Sequence, residues 1–327
     1  MKTVSFYDTK PYDKKAFDMI KDQYNLEILY QEAKLNRKTA ILSKGCDAVV
    51  AFVNDTLDKA TLEVLEELGI SMIAMRCAGY NNVDLKYTKG RFTITRVPAY
   101  SPYAVAEHTI GMLLTLNRKL HRAYNRTREY NFSLNGLTGF DLHGKTIGVV
   151  GTGKIGKTFI DVLSGFGMEV LAYDLYPGEE KNFRYVDFDT LCRLSYIISL
   201  HCPLTKETYH MIDEKSIEMM KKGVFILNTS RGALIDSEAL LEAIKAKKVG
   251  AAGLDVYEEE TDIFYEDYSN KIIQDDILAR LISMPNVLVT SHQAFLTKEA
   301  LKNIAETTLE NLTDYFTERP LKNEISF

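Results

Sequence analysis

Near the middle of the chain an apolar run, Thr146-Ile147-Gly148-Val149-Val150, leads into Gly151-Thr152-Gly153-Lys154-Ile155-Gly156, and a helix-like stretch from Lys157 to Phe166 follows. That order confines the region to a strand, a tight turn and a helix at the start of a parallel βαβ unit. Gly151 allows the turn, Gly153 lets the backbone approach a pyrophosphate, and Gly156 lets helix and strand pack closely. A diphosphate would rest on the helix N-terminus, where free N–H groups and the helix dipole favour negative charge. A second apolar run, Glu169 to Tyr173, ends in Asp174, eighteen residues beyond Gly156. An acid there hydrogen-bonds ribose hydroxyls and repels a 2′-phosphate, so NAD is expected rather than NADP.

At 327 residues the chain can bury two separate cores. Its net charge of −5 gives no electrostatic reason to expect nucleic acid or an anionic membrane, which leaves a small-molecule partner. The N-terminus lacks the apolar core of a signal peptide, and no run approaches the ~20 apolar residues of a membrane span. A cytoplasmic protein is therefore expected. Cys46, Cys77, Cys192 and Cys202 are scattered without CxxC spacing, so free thiols are expected and no metal site. No base accompanies Cys202, which reads as a small wall residue rather than a nucleophile.

Before the glycine loop, strand-like runs at Val4 to Tyr7, Leu26 to Tyr30, Ala48 to Val53, Met72 to Arg76 and Thr93 to Val97 alternate with helix-like runs. After it, strands are predicted at Ile197 to Leu200, Val224 to Asn228, Ala251 to Asp255 and Val287 to Thr290. Two doubly wound parallel α/β sheets are expected, the second holding the cofactor. Between them, Ala104 to Tyr124 has helical periodicity, and Thr127 to Gly139 reads as an exposed arm. An amphipathic helix is predicted from about Lys298 to Phe316, with Asp236 and Ser237 as cap candidates for another from Glu238 to Ile244.

Ligands of open α/β sheets sit beyond the carboxyl ends of the strands, so residues just after each strand take priority. Arg231, after the strand ending at Asn228, offers a permanently charged fork that can grip a carboxylate. His292 follows the strand ending at Thr290, and Glu260 lies in the acidic turn after Asp255. Reducing a 2-oxo acid needs a carboxylate anchor, a proton donor near neutral pH, and a group that keeps the donor protonated. Arg231, His292 and Glu260 supply those roles. His201, at another strand end beside Cys202 and Pro203, is expected to line the cofactor, whereas His108, His121, His143 and His210 are expected to be structural or exposed.

Six segments make the chain resemble the D-isomer-specific 2-hydroxyacid dehydrogenases over nearly its full length. They are Arg76 to Asp84, Arg96 to Pro102, the glycine loop, Asn228 to Gly232, Gly253 to Glu258, and His292 to Thr297. The resemblance implies hydride transfer from NADH to a short 2-oxo acid such as pyruvate, with His292 as general acid, Glu260 as its partner and Arg231 as anchor. It also implies substrate contacts from the backbone near Ala78 and Gly79, from Tyr100, and from a pocket lined by Phe52 and Phe295. For NAD it implies Lys154, Ile155, Asp174, Cys202, Pro203, Thr208, Thr229, Ser230, Arg231 and Asp255. The architecture it implies is a Rossmann NAD-binding domain, residues 100–296, inserted into a flavodoxin-like substrate domain of residues 1–99 and 297–327. A homodimer through the 104–140 region follows by the same resemblance.

Two other readings compete. Larger 2-oxo acids, such as 2-oxoisocaproate or phenylpyruvate, are the nearer alternative. A non-enzymatic, NAD-sensing corepressor-type protein is the more distant one. Formate oxidation is disfavoured, because similar formate dehydrogenases pair the histidine with glutamine where this chain has Glu260.

Overall fold

The computed structural model describes residues 1–179, 182–259 and 263–325. Among the described residues the strands are β1 (Lys2–Phe6), β2 (Leu26–Tyr30), β3 (Ala48–Ala51), β4 (Met72–Met75), β5 (Thr93–Thr95), β6 (Thr146–Val150), β7 (Glu169–Tyr173), β8 (Arg184–Tyr185), β9 (Ile197–Leu200), β10 (Val224–Asn228), β11 (Val249–Leu254) and β12 (Val287–Val289). They form two sheets. The first has the order β2-β1-β3-β4-β5 and the second β12-β11-β10-β9-β6-β7-β8. Every pairing within them is parallel.

The chain divides into two compact units, Met1–Ser101 with the C-terminal segment from Phe295, and Pro102–Ala294. The first sheet has the flavodoxin-like order, and the second has the doubly wound Rossmann order extended by one strand. The order reverses between β1 and β3 in the first unit and between β6 and β9 in the second.

Strands buried on both faces read as continuous apolar runs, and the second unit shows why. Successive residues alternate between two cores: Val150, Ile198 and Ile226 enter one, while Val149, Ile197 and Leu227 enter the other. The second core is closed by Ala106, Ile110, Leu113 and Leu116 of helix Pro102–Arg118, packed with Phe159, Ile160 and Leu163. In the first unit, helix Lys298–Phe316 starts at an N-cap made by Thr297, which accepts from Ala300 N–H, and it buries Ile304, Ala305, Leu309 and Leu312. Its Asn311 donates to the Arg96 carbonyl at 3.1 Å.

Several sequence expectations need correction. The periodic stretch from Ala104 to Tyr124 is two helices, Pro102–Arg118 and Leu120–Arg128, separated by Lys119 at φ 52° and ψ 39°. The apolar stripe lapses after Leu116, and nothing in Leu120–Arg128 is buried, so no core holds the two in register. The arm therefore begins later than Thr127. Strands predicted through Val53, Arg76, Val97, Asp255 and Thr290 stop one or two residues sooner, because those residues leave the ladder at the carboxyl end. The short β8 went unpredicted; two residues carry no periodicity. Among the described residues no helix is long and apolar enough to cross a membrane, and no group of acidic, histidine and cysteine side chains is placed to hold a metal ion.

Candidate functional site

The glycine loop leaves β6 at the reversal point of the second sheet. Gly151 adopts φ 93°, and a Cβ on it would lie 2.5 Å from the backbone nitrogen of Cys202, which follows β9. A Cβ on Gly156 would overlap the Gly151 carbonyl oxygen. Gly153 is different, for nothing lies within 4 Å of where its Cβ would be. It is the N-cap of helix Lys154–Leu163 and offers no side-chain cap, so the first-turn N–H groups face an open approach. Lys154 is exposed and Ile155 half-buried at that opening. This cradle fits a dinucleotide diphosphate.

Asp174 follows β7 and is held on both oxygens. Thr152 gives it a backbone bond of 2.6 Å and a hydroxyl bond of 2.9 Å, and Tyr176 N–H adds one of 2.9 Å. Burial pushes its carboxyl up, but these bonds more than offset that and keep it below the usual carboxylate range. Tyr185 of β8 bonds the Thr152 hydroxyl at 2.8 Å. Neither Thr152 nor Tyr185 was singled out from sequence; the signal for Thr152 was its place between two loop glycines.

After β9, the His201 ring lies 4.7 Å from Phe159, and its Nε2 meets the Ser199 hydroxyl at 2.9 Å. Burial pushes its pKa down to about 3, so it stays neutral and cannot serve as a proton donor. Burial likewise pushes the Cys202 thiol up to about 11, which leaves it an inert wall. Thr208 donates to the Pro203 carbonyl at 2.7 Å, Ser230 donates to the Cys202 carbonyl at 2.7 Å, and Thr229 bonds Thr109 at 2.9 Å. Ser230 thereby ties the end of β10 to that of β9, and Thr229 ties it to helix Pro102–Arg118.

Arg231 follows β10 at an extended φ of −139°, with Nη1 donating to the Ser230 carbonyl at 2.7 Å. Asn228 braces the turn by donating to the Arg231 carbonyl at 2.8 Å and accepting from Ser230 N–H at 3.0 Å. A Cβ on Gly232 would overlap the Tyr257 carbonyl, so the arginine turn packs on the backbone of the acidic turn. Glu258 anchors that turn by pairing with His210 and accepting from the Ser237 hydroxyl at 2.9 Å. Glu260 lies outside the described residues.

His292 follows β12 at φ 48°, in the left-handed region that a non-glycine residue seldom adopts. Its N–H donates to the Asp255 carbonyl at 2.7 Å, and Tyr265 donates to its carbonyl at 3.1 Å. The Asp255 side chain is fully buried beneath this loop. It accepts from Thr290 Oγ1 at 2.5 Å, Gln293 N–H at 2.9 Å and Ala294 N–H at 2.9 Å. His108 adds a contact at 3.3 Å. Burial raises the Asp255 carboxyl, yet the bonds from His108, Thr290 and Ala294 prevail and hold it below the usual range.

In the first unit, Phe52 is buried after β3, and Ala78 and Gly79 follow β4. Arg96 donates to the Ala78 carbonyl at 3.1 Å, and the Cys77 thiol donates to the Gly79 carbonyl at 3.2 Å. Across a trans peptide the N–H points opposite its C=O, so the Gly79 and Tyr80 N–H groups face away from those donors. Tyr100 and Phe295 form an edge-to-face pair with centroids 6.1 Å apart. Phe52 is placed by Asp55, which accepts from its N–H at 2.6 Å, and by Asn82, which donates to its carbonyl at 2.9 Å. Arg96, Asp55 and Asn82 are contacts that strand-end reasoning passed over.

The family model described as "D-isomer specific 2-hydroxyacid dehydrogenase, NAD binding domain" matches residues 110–294. D-lactate dehydrogenase of Escherichia coli is 52% identical, with 98% of this chain and 99% of that protein covered. The structure of a pyruvate reductase of Chlamydomonas reinhardtii matches with a TM-score of 0.94 at 42% identity, covering 99% of this chain and 98% of that one. D-lactate dehydrogenase from Lactobacillus jensenii, solved with NAD+, matches with a TM-score of 0.84 at 30% identity over 99% of this chain and 100% of its own. A family pattern spanning more than half of the chain, relatives aligned from end to end and a diphosphate cradle at the sheet's reversal point agree on one assignment: the chain belongs to the D-isomer-specific 2-hydroxyacid dehydrogenases, NAD-dependent oxidoreductases.

Proposed function

We propose that the chain reduces pyruvate to D-lactate with NADH, with the first unit as substrate domain. The observation that carries the reading is the Thr290–Ala294 loop, folded around Asp255 so that a histidine leaves a strand end in a left-handed conformation. The relatives named D-lactate dehydrogenase and pyruvate reductase support the choice of substrate.

Bound NADH would supply the hydride for the carbonyl carbon. Gly151, Gly153 and Gly156, with the N–H groups of the helix they open, would hold its diphosphate, and Asp174 its ribose. The planar guanidinium of Arg231 can grip the substrate carboxylate and stabilise negative charge developing on the carbonyl oxygen. His292 gives that oxygen its proton, with Glu260 as its carboxylate partner. Ala78 and the Gly79 N–H receive the carboxylate, while Phe52, Tyr100 and Phe295 supply an apolar wall suited to a methyl group.

A panel of 2-oxo acids tests the reading. We expect kcat/KM with NADH to be highest on pyruvate, above phenylpyruvate, 2-oxoisocaproate and 2-oxoglutarate, with D-lactate as product. A higher value on the branched or aromatic acids would transfer the assignment to them, and no turnover on any would reject it.

The same proposal places the protein in the cytoplasm, in keeping with four cysteines that form no disulfide among the described residues. It also makes the protein a homodimer through the arm, where Tyr130, Phe132 and Leu134 are 86%, 72% and 80% exposed. Sedimentation of the parent against a variant with Phe132→Asp and Leu134→Asp should separate dimer from monomer.

A further inference from the structure

His108 projects from helix Pro102–Arg118, far in sequence from the strand ends, and no dehydrogenase step requires it. Yet its Nε2 lies 3.2 Å from Thr290 Oγ1 and 3.3 Å from Asp255 Oδ1. Thr290 has one hydroxyl proton and gives it to Asp255. Asp255 is held ionised and can only accept. Toward both oxygens, then, His108 Nε2 must carry a proton and donate.

The rest of the Asp255 carboxylate is committed to the loop bearing His292. Gln293 N–H shares Oδ1 with Thr290 and His108, and Ala294 N–H takes Oδ2. Four bonds from two elements, the Thr290–Ala294 loop and helix Pro102–Arg118, thus converge on one buried carboxylate, and the loop they fold holds His292 at φ 48°. A left-handed backbone on a non-glycine residue is strained and persists only where its surroundings impose it. His108 is the one member of this set that comes from neither β11 nor the loop itself.

We propose that His108 is a positioning residue for the general acid: its Nε2–H clamps Thr290 and Asp255, and through them fixes the backbone from which His292 reaches the substrate. This rests on His292 being the proton donor. Misplacing a catalytic group by about 1 Å can cost about 100-fold in rate, so loss of the clamp should be read in kcat. Among the described residues the glycine loop and Asp174 share no bond with the cluster, so the binding of the NADH diphosphate and ribose should be spared.

The test compares His108→Ala, His108→Gln and Thr290→Val with the parent. kcat for pyruvate reduction, NADH affinity by fluorescence titration, and hydrogen exchange at the Gln293 and Ala294 amides are measured for each. We expect His108→Ala to lose about tenfold or more in kcat, with NADH affinity within about threefold and faster exchange at both amides. Glutamine keeps an N–H donor and should restore both kcat and exchange. Thr290→Val should repeat the alanine phenotype, which keeps the test open if His108→Ala does not fold. Parent-like kcat in His108→Ala overturns the proposal, whether or not exchange changes, and so does a fall in kcat with unchanged exchange that glutamine fails to rescue. His292→Asn separates the two layers: if it keeps parent kcat the general-acid reading fails, whereas the exchange data still decide whether His108 holds the loop.

Discussion

The guanidinium carbon of Arg76 lies 4.0 Å from the centroid of the Phe52 ring, and both residues are buried. The arginine also faces Phe6 at 5.2 Å, donates to the Asp8 carbonyl at 2.8 Å and pairs with Asp13 at 3.4 Å. It therefore joins the strand ends of β1, β3 and β4 in the unit proposed to take the substrate. Removing one partner of a buried ion pair strands the other, at about 3–5 kcal/mol. Arg76→Met should lower stability by that order in chemical denaturation. Adding Asp13→Asn should recover at least about 1 kcal/mol, because the stranded charge is then gone. Strict additivity of the two substitutions would show that no such coupling exists.

Asp55 sits beside this cluster, and burial pushes its carboxyl up to about 7 even though Phe52 and Leu35 N–H groups bond it. In the unfolded chain an aspartate titrates near about 3.9. Between those values the folded chain holds a proton that the unfolded chain has lost. Stability contributed by this group is then present below about pH 4, falls as pH rises toward about 7, and falls no further above it. The slope is at most about 1.4 kcal/mol per pH unit. Asp55→Asn should remove that component, so the fall in urea midpoint from about pH 4.5 to about pH 7 should be smaller than in the parent. Equal slopes would mean that Asp55 is ionised throughout.

The fold was legible because both sheets are buried on two faces and their strands read as apolar runs punctuated by helices. The candidate site was legible at strand ends: Gly151, Asp174, Arg231 and His292 each follow a strand in the second unit, where ligands of open α/β sheets sit. Partners brought by non-local packing were hidden. His108 looked like one more helical histidine, and only the fold carries it to Asp255. Tyr185 belongs to a two-residue strand with no period to detect, and Asp55 lies in a loop whose acid could as well have faced water. The break at Lys119 was hidden for the opposite reason, since helical residues continue beyond it without a core to align them.

Asp174 is ionised, and Thr152 and Tyr176 fix both its oxygens, so its carboxylate is aligned before any ligand arrives. Hydrogen bonds to a charged group are worth about 1.5–3 kcal/mol, or about 10- to 150-fold. Asp174→Ala should reduce kcat/KM for NADH by that order while raising the NADPH to NADH ratio, since the repulsion of a 2′-phosphate disappears with the charge. Thr152→Val removes one of three bonds to the carboxylate and the link to Tyr185. It should raise KM for NADH by less, with kcat unchanged. An unaltered coenzyme ratio in Asp174→Ala would place the ribose elsewhere.

Gly153 and Gly156 have opposite surroundings, which separates a folding role from a binding role inside one loop. A Cβ on Gly156 meets backbone oxygen that cannot move without displacing β6, so Gly156→Ala should lose about 1–3 kcal/mol or more and weaken NADH binding with it. Gly153 has φ −67°, which alanine adopts freely, and empty space where the new methyl would go. Gly153→Ala should therefore melt at the parent temperature without NADH. With NADH present the methyl competes with the diphosphate for the uncapped helix N-terminus, and the affinity should fall at least about tenfold. Thermal melts run with and without NADH read both effects, and parent-like stabilisation of Gly153→Ala by NADH would move the diphosphate off this loop.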